Sequence, residues 1–204
     1  MSEEPFEVVE TVVIVHKQTL VGKKVEVKNG VPAYPDPSNA SDWLVGPDMS
    51  AVLDVPRKYW KIEGAAVVEM TAEEKQAVDA AALEVIKTKR MGEVDEETST
   101  FIAAGFEWPI DSGNIFSLSL PAQLKWLGLY NARNNLQYPI TVRTADDSTS
   151  YEIADAQEVE SMYTVIVAKV LGVLNLSNET KGQIQNAESV SEASSIAKKY
   201  KPSK

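Results

Sequence analysis

The sequence contains no cysteine and a single histidine, His16, among its 204 residues. Disulfide bonds and thiol catalysis are therefore excluded, and so are zinc sites built from cysteine and histidine. A serine nucleophile of the triad kind could use only His16 as its base. His16 follows a β-rich run and has no acidic neighbour in the local pattern, so we interpret it as a structural residue.

Basic residues are also scarce, because 20 Lys and Arg stand against 30 Asp and Glu and leave a formal net charge of −10. Proteins that bind DNA or RNA neutralise phosphates with a basic surface, so we expect no nucleic-acid partner. The longest apolar run, residues 165–176, is interrupted by Lys169 and is too short to cross a bilayer. The acidic N-terminus shows no signal peptide, so we expect no membrane association and synthesis in the cytoplasm.

Two acidic clusters could offer oxygen ligands to a cation. Asp146 and Asp147 precede Ser-Thr-Ser, a composition typical of a solvated turn. The acidic run at residues 93–97 lacks the alternating Asp frame of a calcium loop, so we interpret it as a solvated linker. No Gly-rich phosphate loop of the P-loop type occurs either. We therefore predict no metal, no cofactor and no catalytic residue, although a glycosidase-like carboxylate pair could still form in the fold.

The first 70 residues predict a small β-rich docking region. Asn29-Gly30 is a hairpin turn dipeptide, and Pro32 places the returning strand at a sheet edge. Five prolines in residues 31–56 indicate a long irregular connection, in which Trp43 is the candidate interface residue. Strands are predicted at residues 6–15, 23–27, 31–34, 59–62 and 66–70.

Residues 71–100 predict a connector helix followed by an acidic linker. Thr71 and Glu74 form a capping box, and the helical pattern continues to about Arg90, with Gly92 closing it. A narrow apolar stripe includes Val78 and Val85, which we take as candidate interface residues. This stripe could pack on one partner surface or on copies of itself.

Residues 101–204 predict a C-terminal domain with short hairpins and several helices, so the fold class is α+β. Hairpins are predicted at 101–108 with 115–118 and at 140–143 with 151–153, and helices are predicted after Ser119, after Asp155, at 178–187 and at 189–200. The last two helices have few apolar residues, so we expect them at the periphery.

The helix after Asp155 is apolar on most sides between residues 162 and 174. Such a helix is either central to a core or buried between subunits. Ile166 and Val170 on this helix are therefore candidate interface residues. Trp126 is a third, on the preceding helix, where Leu120, Leu124 and Leu127 share one face.

The order of several motifs resembles a C-terminal module of tailed-bacteriophage virion proteins. The motifs are Gly105-Phe-Glu-Trp, Ile115-Phe-Ser-Leu-Ser, Ala122-Gln-Leu-Lys-Trp-Leu-Gly-Leu-Tyr-Asn-Ala-Arg, Leu136-Gln-Tyr-Pro-Ile-Thr-Val and Tyr151-Glu-Ile. Residues 59–75 also resemble phage sequences that lead into tail-fibre-associated domains. Together the likeness covers about two thirds of the chain, while residues 1–56 resemble nothing we can name.

This resemblance implies a non-enzymatic structural protein of the virion, in the tail, baseplate or fibre apparatus. It brings no catalytic motif with it. The expected partners are other virion proteins and copies of the chain in a trimer or hexamer, since phage tails use those symmetries. A capsid decoration or head-fibre protein, a tail-fibre assembly chaperone and a depolymerase acting on the host surface remain as alternatives.

Overall fold

Strands dominate the first third of the chain and helices the rest, which confirms the α+β class. The computed structural model describes residues 10–202. The strands are β1 (Thr11–His16), β2 (Gly22–Lys28), β3 (Val31–Pro32), β4 (Trp43–Val45), β5 (Trp60–Glu63), β6 (Ala66–Glu69), β7 (Phe106–Glu107), β8 (Ile115–Phe116), β9 (Ile140–Arg143) and β10 (Ser150–Ile153). The helices are α1 (Ala72–Ala103), α2 (Leu120–Ala132), α3 (Ala156–Asn186) and α4 (Val190–Lys199). The chain forms two compact units, Met1–Ala81 and Ala82–Lys204, which are described separately.

An antiparallel sheet in the order β3-β2-β1-β4 forms the first unit's largest element. Asn29 and Gly30 turn the chain between β2 and β3 with φ of 53° and 76°, as this dipeptide predicts, and the strand with Pro32 lies at an edge. Residues 6–9 of the predicted first strand lie outside the described residues, and β1 begins at Thr11.

The proline-rich segment 31–56 is not wholly irregular, so that prediction was wrong in part. Its residues Trp43–Val45 form β4, which pairs antiparallel with β1. The prolines flank this strand and leave its amides free to pair. Short 3-10 turns before and after β4 continue the segment towards the predicted β5–β6 hairpin, which is confirmed. Val15, Val52 and Val67 are fully buried together and form the core of the unit.

The capping box at the start of α1 is confirmed. The Thr71 hydroxyl accepts a hydrogen bond from the Glu74 amide at 3.3 Å, and the Glu74 carboxylate accepts one from the Thr71 amide at 2.7 Å. Lys61 on β5 also pairs with Glu74 at 2.8 Å. These contacts join the helix start to the β5–β6 hairpin within the first unit.

The predicted end of α1 was wrong, because the helix runs through Gly92 and the acidic run to Ala103. A glycine in a helix costs about 1 kcal/mol relative to alanine. Burial offsets that cost, since Val94 and Thr98 lie on the inner face of the same helix. Thr98 also shares a hydrogen bond of 2.6 Å with the hydroxyl of buried Tyr200 near the C-terminus. The acidic residues 93–97 are thus helical and do not form a linker.

The first C-terminal hairpin is shorter than predicted, because residues 101–103 belong to α1. Gly105 ends the helical run with φ of 91°, a conformation that side chains disfavour, and leaves two residues for β7. Phe106 and Phe116 pair across β7 and β8 with their rings 5.6 Å apart. Both are buried in a core with Leu118, Ile153, Val159, Met162 and Ile166. The second hairpin, β9 with β10, is confirmed.

Residues 178–187 do not form a separate helix, which is a second correction. They continue α3, which Asp155 caps as predicted by accepting a hydrogen bond from the Glu158 amide at 2.8 Å. The end of α3 is also not peripheral. Ile184 and Ala187 are buried with Val94 of α1, and α4 completes this cluster through Ala193. A few apolar residues suffice because each of them lies on the same inward face.

Candidate protein-docking surface

Helix α2 exposes a row of large apolar side chains. The Trp126 ring lies against those of Phe106 and Phe116, at 5.5 and 5.9 Å, and its indole N–H donates to the Ser117 carbonyl at 3.1 Å. This attachment turns one side of the helix inward. The opposite side carries three leucines spaced at i, i+4 and i+7, which are Leu120, Leu124 and Leu127.

Helix α3 exposes a second row with the same spacing. Met162, Ile166 and Val173 are buried towards the core. Val167, Leu171 and Leu174 point the other way and remain in solvent. The apolar residues that predicted an all-round buried helix therefore divide between a core side and an uncovered side.

The two rows flank a groove between α2 and α3. The rings of Tyr130 and Tyr163 stack at 4.3 Å, and Arg133 lies 3.6 Å from Glu160, so the C-terminal end of α2 adjoins the N-terminal part of α3. The helices consequently run antiparallel. The groove is lined by Leu120, Gln123, Leu124, Leu127, Tyr163, Ile166, Val167, Val170 and Leu171.

The chemistry of the groove is apolar. None of its lining residues is Asp, Glu, Lys, Arg or His. Its one side-chain amide is already engaged, since Gln123 donates to the Leu118 carbonyl at 2.8 Å. General acid–base catalysis needs a titratable group near the reacting atoms, and a small-molecule site needs several convergent polar groups. The groove is instead suited to packing against an apolar surface of another protein chain.

The two rows form a large exposed apolar patch. The six residues of the two rows are between 37% and 71% exposed. With about 170 Å² for a fully exposed leucine or valine, they leave roughly 500 Å² of apolar surface in water. This value falls in the range of the largest apolar patch found on a typical monomer, which is often a binding site.

Lys169 is the single charged residue between positions 161 and 178 of α3, and it turns away from the groove. Its ammonium donates to the Gly105 carbonyl at 2.6 Å and lies 4.8 Å from the centre of the Phe101 ring. Burial disfavours the charged form and lowers the pKa of Lys169. The lysine thereby secures α3 to the chain after α1 and leaves the groove uncharged.

Glu158, in the first turn of α3, is a carboxylate with three hydrogen-bond donors. It accepts hydrogen bonds from the Trp108 indole at 3.1 Å, the Ala154 amide at 2.8 Å and the Tyr151 hydroxyl. Burial would raise the pKa of Glu158, but these hydrogen bonds to the charged form outweigh it and lower the pKa. Glu158 thus organises the junction of β7, β10 and α3, which positions α3.

A second pocket lies on the other side of α2. It is lined by Ser117, Ala122, Lys125, Trp126, Leu129, Val142, Arg143, Thr144 and Ala145. Arg143 lies 3.3 Å from Asp147 in an exposed ion pair. Lys125 and Arg143 are both exposed, so this pocket is a surface depression with a solvated basic rim.

The acidic clusters have structural partners. Asp146 accepts hydrogen bonds from the Thr144 hydroxyl at 2.7 Å and from the Ser148 amide and hydroxyl, and these lower its pKa to about 2. On α1, Glu93 pairs with Arg90 at 2.6 Å and Asp95 with Lys181 at 2.7 Å. Within residues 10–202 no three His, Asp or Glu side chains lie together as a metal site requires.

The lone histidine has a local structural role. The Nδ1 atom of His16 accepts hydrogen bonds from the amides of Gln18 and Thr19, each at 3.3 Å. Its ring meets Trp43 edge-on at 5.0 Å. His16 therefore closes the β1–β2 turn.

The six predicted interface residues fall in different places. Ile166 is buried and Val170 half-buried, and both line the groove. Trp126 is half-buried and lines the second pocket. Val85 is exposed on α1. In the first unit, Trp43 on β4 and Val78 on α1 are half-buried.

The sequence alone does not identify the two rows that flank the groove as an interface. It identifies Leu120, Leu124 and Leu127 as one helix face, and Leu171 and Leu174 as part of an apolar helix. The missing signal is exposure, because the i, i+4, i+7 pattern is the same for a face that packs on the core and for one that does not.

α3 is also the one helix among the described residues that is long and apolar enough to cross a membrane, judged by length and composition. This finding differs from the expectation that the apolar run at residues 165–176 is too short to cross a bilayer. Only 22% of the most apolar window of α3 is buried. The groove and this property of α3 have the same origin, a long helix side without charges.

No protein-family model matches the chain, and neither the curated proteins nor the solved structures compared with it contain a match.

Proposed function

We propose that the chain is a non-enzymatic structural protein of a tailed-phage virion, which joins components of the tail, baseplate or fibre apparatus. The observation that carries the docking role is the uncharged apolar groove between α2 and α3. The virion setting is supported by the motif order at residues 59–75 and 105–153, which resembles phage virion proteins.

Covering the groove is energetically favourable. Removing roughly 500 Å² of apolar surface from water at about 25 cal/mol per Å² contributes about 12 kcal/mol from this side of the contact alone. Association costs an estimated 4–15 kcal/mol in lost freedom of motion, and the contribution of the groove is of the same order, so burying the groove supplies a large part of the free energy needed to hold a partner. A monomer that never binds would gain nothing from keeping it exposed.

The chemistry favours a structural role over an enzymatic one. The groove carries no titratable acid or base apart from the Tyr163 phenol. The carboxylates outside it with several partners, Glu158 and Asp146, are used in local hydrogen bonds. The net charge of −10 is compatible with a component of the particle surface and unfavourable for contact with packaged DNA.

The experiment is a protein inventory of purified particles from the phage whose genome encodes the chain. Quantitative mass spectrometry should detect the chain at a fixed copy number relative to the tail proteins, and an antibody against the purified chain should label the tail in electron micrographs. Labelling of the head instead would indicate a decoration or head-fibre protein. Absence from finished particles would overturn the virion role and favour an assembly chaperone.

A further inference from the structure

We propose that the groove between α2 and α3 binds the same groove of a second copy, so that two chains pair about a two-fold axis through four helices. The inference rests on the proposed use of this groove for protein docking, and it names the partner. Spacing, charge and area each support this occupant.

The two rows of apolar residues that flank the groove have the same spacing. Leu120, Leu124 and Leu127 on α2 repeat at i, i+4 and i+7, and Val167, Leu171 and Leu174 on α3 repeat identically. A two-fold axis parallel to these antiparallel helices lays α2 of one chain along α3 of the other. Side-chain ridges of one helix can then enter the grooves of the next, as in four-helix bundles.

The charge pattern favours a copy over a charged partner. The groove offers no charge for a basic or acidic protein to complement. A chain with a net charge of −10 repels its copies over most orientations. Contact through an uncharged face avoids placing like charges against each other.

The area agrees with what a homodimer needs. A standard interface buries about 800 Å² per partner, and homodimer interfaces are about 65% apolar, so about 500 Å² of apolar surface is required on each side. The two rows expose roughly this amount.

The charges near α3 disfavour a lipid surface as the occupant. Helices that lie on membranes carry Lys and Arg on their polar side, which anionic lipids attract. On α3 the apolar stretch is preceded by Glu158 and Glu160 and followed by Glu179, and Lys181 is paired with Asp95. An anionic bilayer would repel these ends.

The test measures the mass of the full chain by light scattering over a range of concentrations. The expected mass is twice the 22.3 kDa of one chain. Leu124→Glu and Leu171→Glu each place a carboxylate twice in the pair and should raise the dissociation constant at least about 100-fold. Ile110→Glu is the matched control, since Ile110 is 72% exposed outside the groove, and it should leave the mass unchanged. Circular dichroism verifies that all three variants fold.

A mass six times that of one chain, reduced to three times by Leu124→Glu, would also support the two-fold contact. A monomer at every concentration would overturn the inference, as would a trimer, or a dimer that neither groove variant weakens. So would binding of the chain to vesicles of equal parts phosphatidylcholine and phosphatidylglycerol that Leu124→Glu abolishes. A monomer that is nevertheless a fixed component of particles would refute the pairing and leave the virion role intact.

Discussion

Gly105→Ala should destabilise the C-terminal unit more than a simple loss of glycine flexibility can explain. Gly105 lies between α1 and β7 with φ of 91°. A Cβ atom at this position would lie 2.2 Å from the backbone oxygen of Phe116 and 3.0 Å from its carbonyl carbon. Side chains do not approach backbone this closely, so β8 must shift away from β7.

The expected loss of unfolding free energy in Gly105→Ala has two contributions. Placing a side chain at positive φ costs about 1–2 kcal/mol. Displacing β8 also disturbs buried Phe106 and Phe116, and overpacking of this kind costs about 1–3 kcal/mol. We therefore expect a loss of about 3 kcal/mol in the free energy of unfolding. Gly113→Ala is the matched control, because Gly113 has φ of 76° and a Cβ atom there would meet nothing within 4 Å, so about 1 kcal/mol should be lost.

The assay is urea unfolding followed by far-UV circular dichroism, which mainly reports the helices of the C-terminal unit. The midpoint should fall markedly for Gly105→Ala and slightly for Gly113→Ala, with similar slopes. Equal losses in the two variants would refute the proposed clash and reduce the role of Gly105 to its backbone conformation.

Three further predictions concern polar contacts. Glu158→Gln should cost about 1–3 kcal/mol at neutral pH, because the half-buried Trp108 and Tyr151 side chains lose a charged acceptor for their hydrogen bonds. The pKa of Glu158 is lowered below its ordinary value of 4.5, so this advantage of the wild type is present above pH 4.5 and should vanish as the pH falls through the lowered value, as unfolding curves at several pH values can check. The Asp146 carboxyl should titrate near pH 2 in an NMR experiment. Its stabilising effect should be complete above pH 3.8 and lost as the pH falls towards 2. Thr144→Val should raise the pKa of Asp146, because it removes a hydrogen bond to the carboxylate. Tyr200→Phe should cost about 1 kcal/mol in thermal or urea unfolding, because Thr98 keeps its bond to the Val94 carbonyl; no measurable loss would contradict a structural role for the Thr98–Tyr200 contact.

Features set by neighbouring residues could be predicted from the sequence. The Asn29–Gly30 turn, the Thr71 cap and the Asp155 cap each depend on side chains within four positions of the backbone they serve. A short segment of sequence is therefore enough to predict each of them. The hairpins β5–β6 and β9–β10 belong to the same class.

Features set by distant residues could not be predicted. The local pattern predicts that Gly92 ends a helix, but α1 continues because Val94 packs with Ile184 and Ala187 near the far end of the chain. The pairing of β4 with β1 likewise depends on strands well separated in the sequence. Local propensity is a weak prior that tertiary packing overrides in such segments.

The candidate site was predictable in composition and not in position. The apolar character of their helix predicts Ile166 and Val170 as interface residues, and both line the groove. The same pattern does not select the more exposed Leu120 and Leu171, because an apolar stripe does not reveal which of its members the core covers. Only the inward packing of residues such as Met162 shows that the two rows of apolar residues remain in solvent.

Cysteine cross-linking tests the central claim, the docking of two grooves, most directly. The natural chain has no cysteine, so single substitutions of Leu124, Val167 or Leu171 each introduce the sole thiol. Because the pairing lays α2 of one chain along α3 of its copy, it brings Leu124 of one chain opposite Val167 or Leu171 of the other, within reach of a disulfide. When Leu124→Cys chains are mixed with Val167→Cys or Leu171→Cys chains under mild oxidation in dilute solution, we predict a covalent dimer in at least one mixture and none when Ile110→Cys replaces Leu124→Cys. Dimer yields that never exceed the Ile110→Cys control would contradict the account.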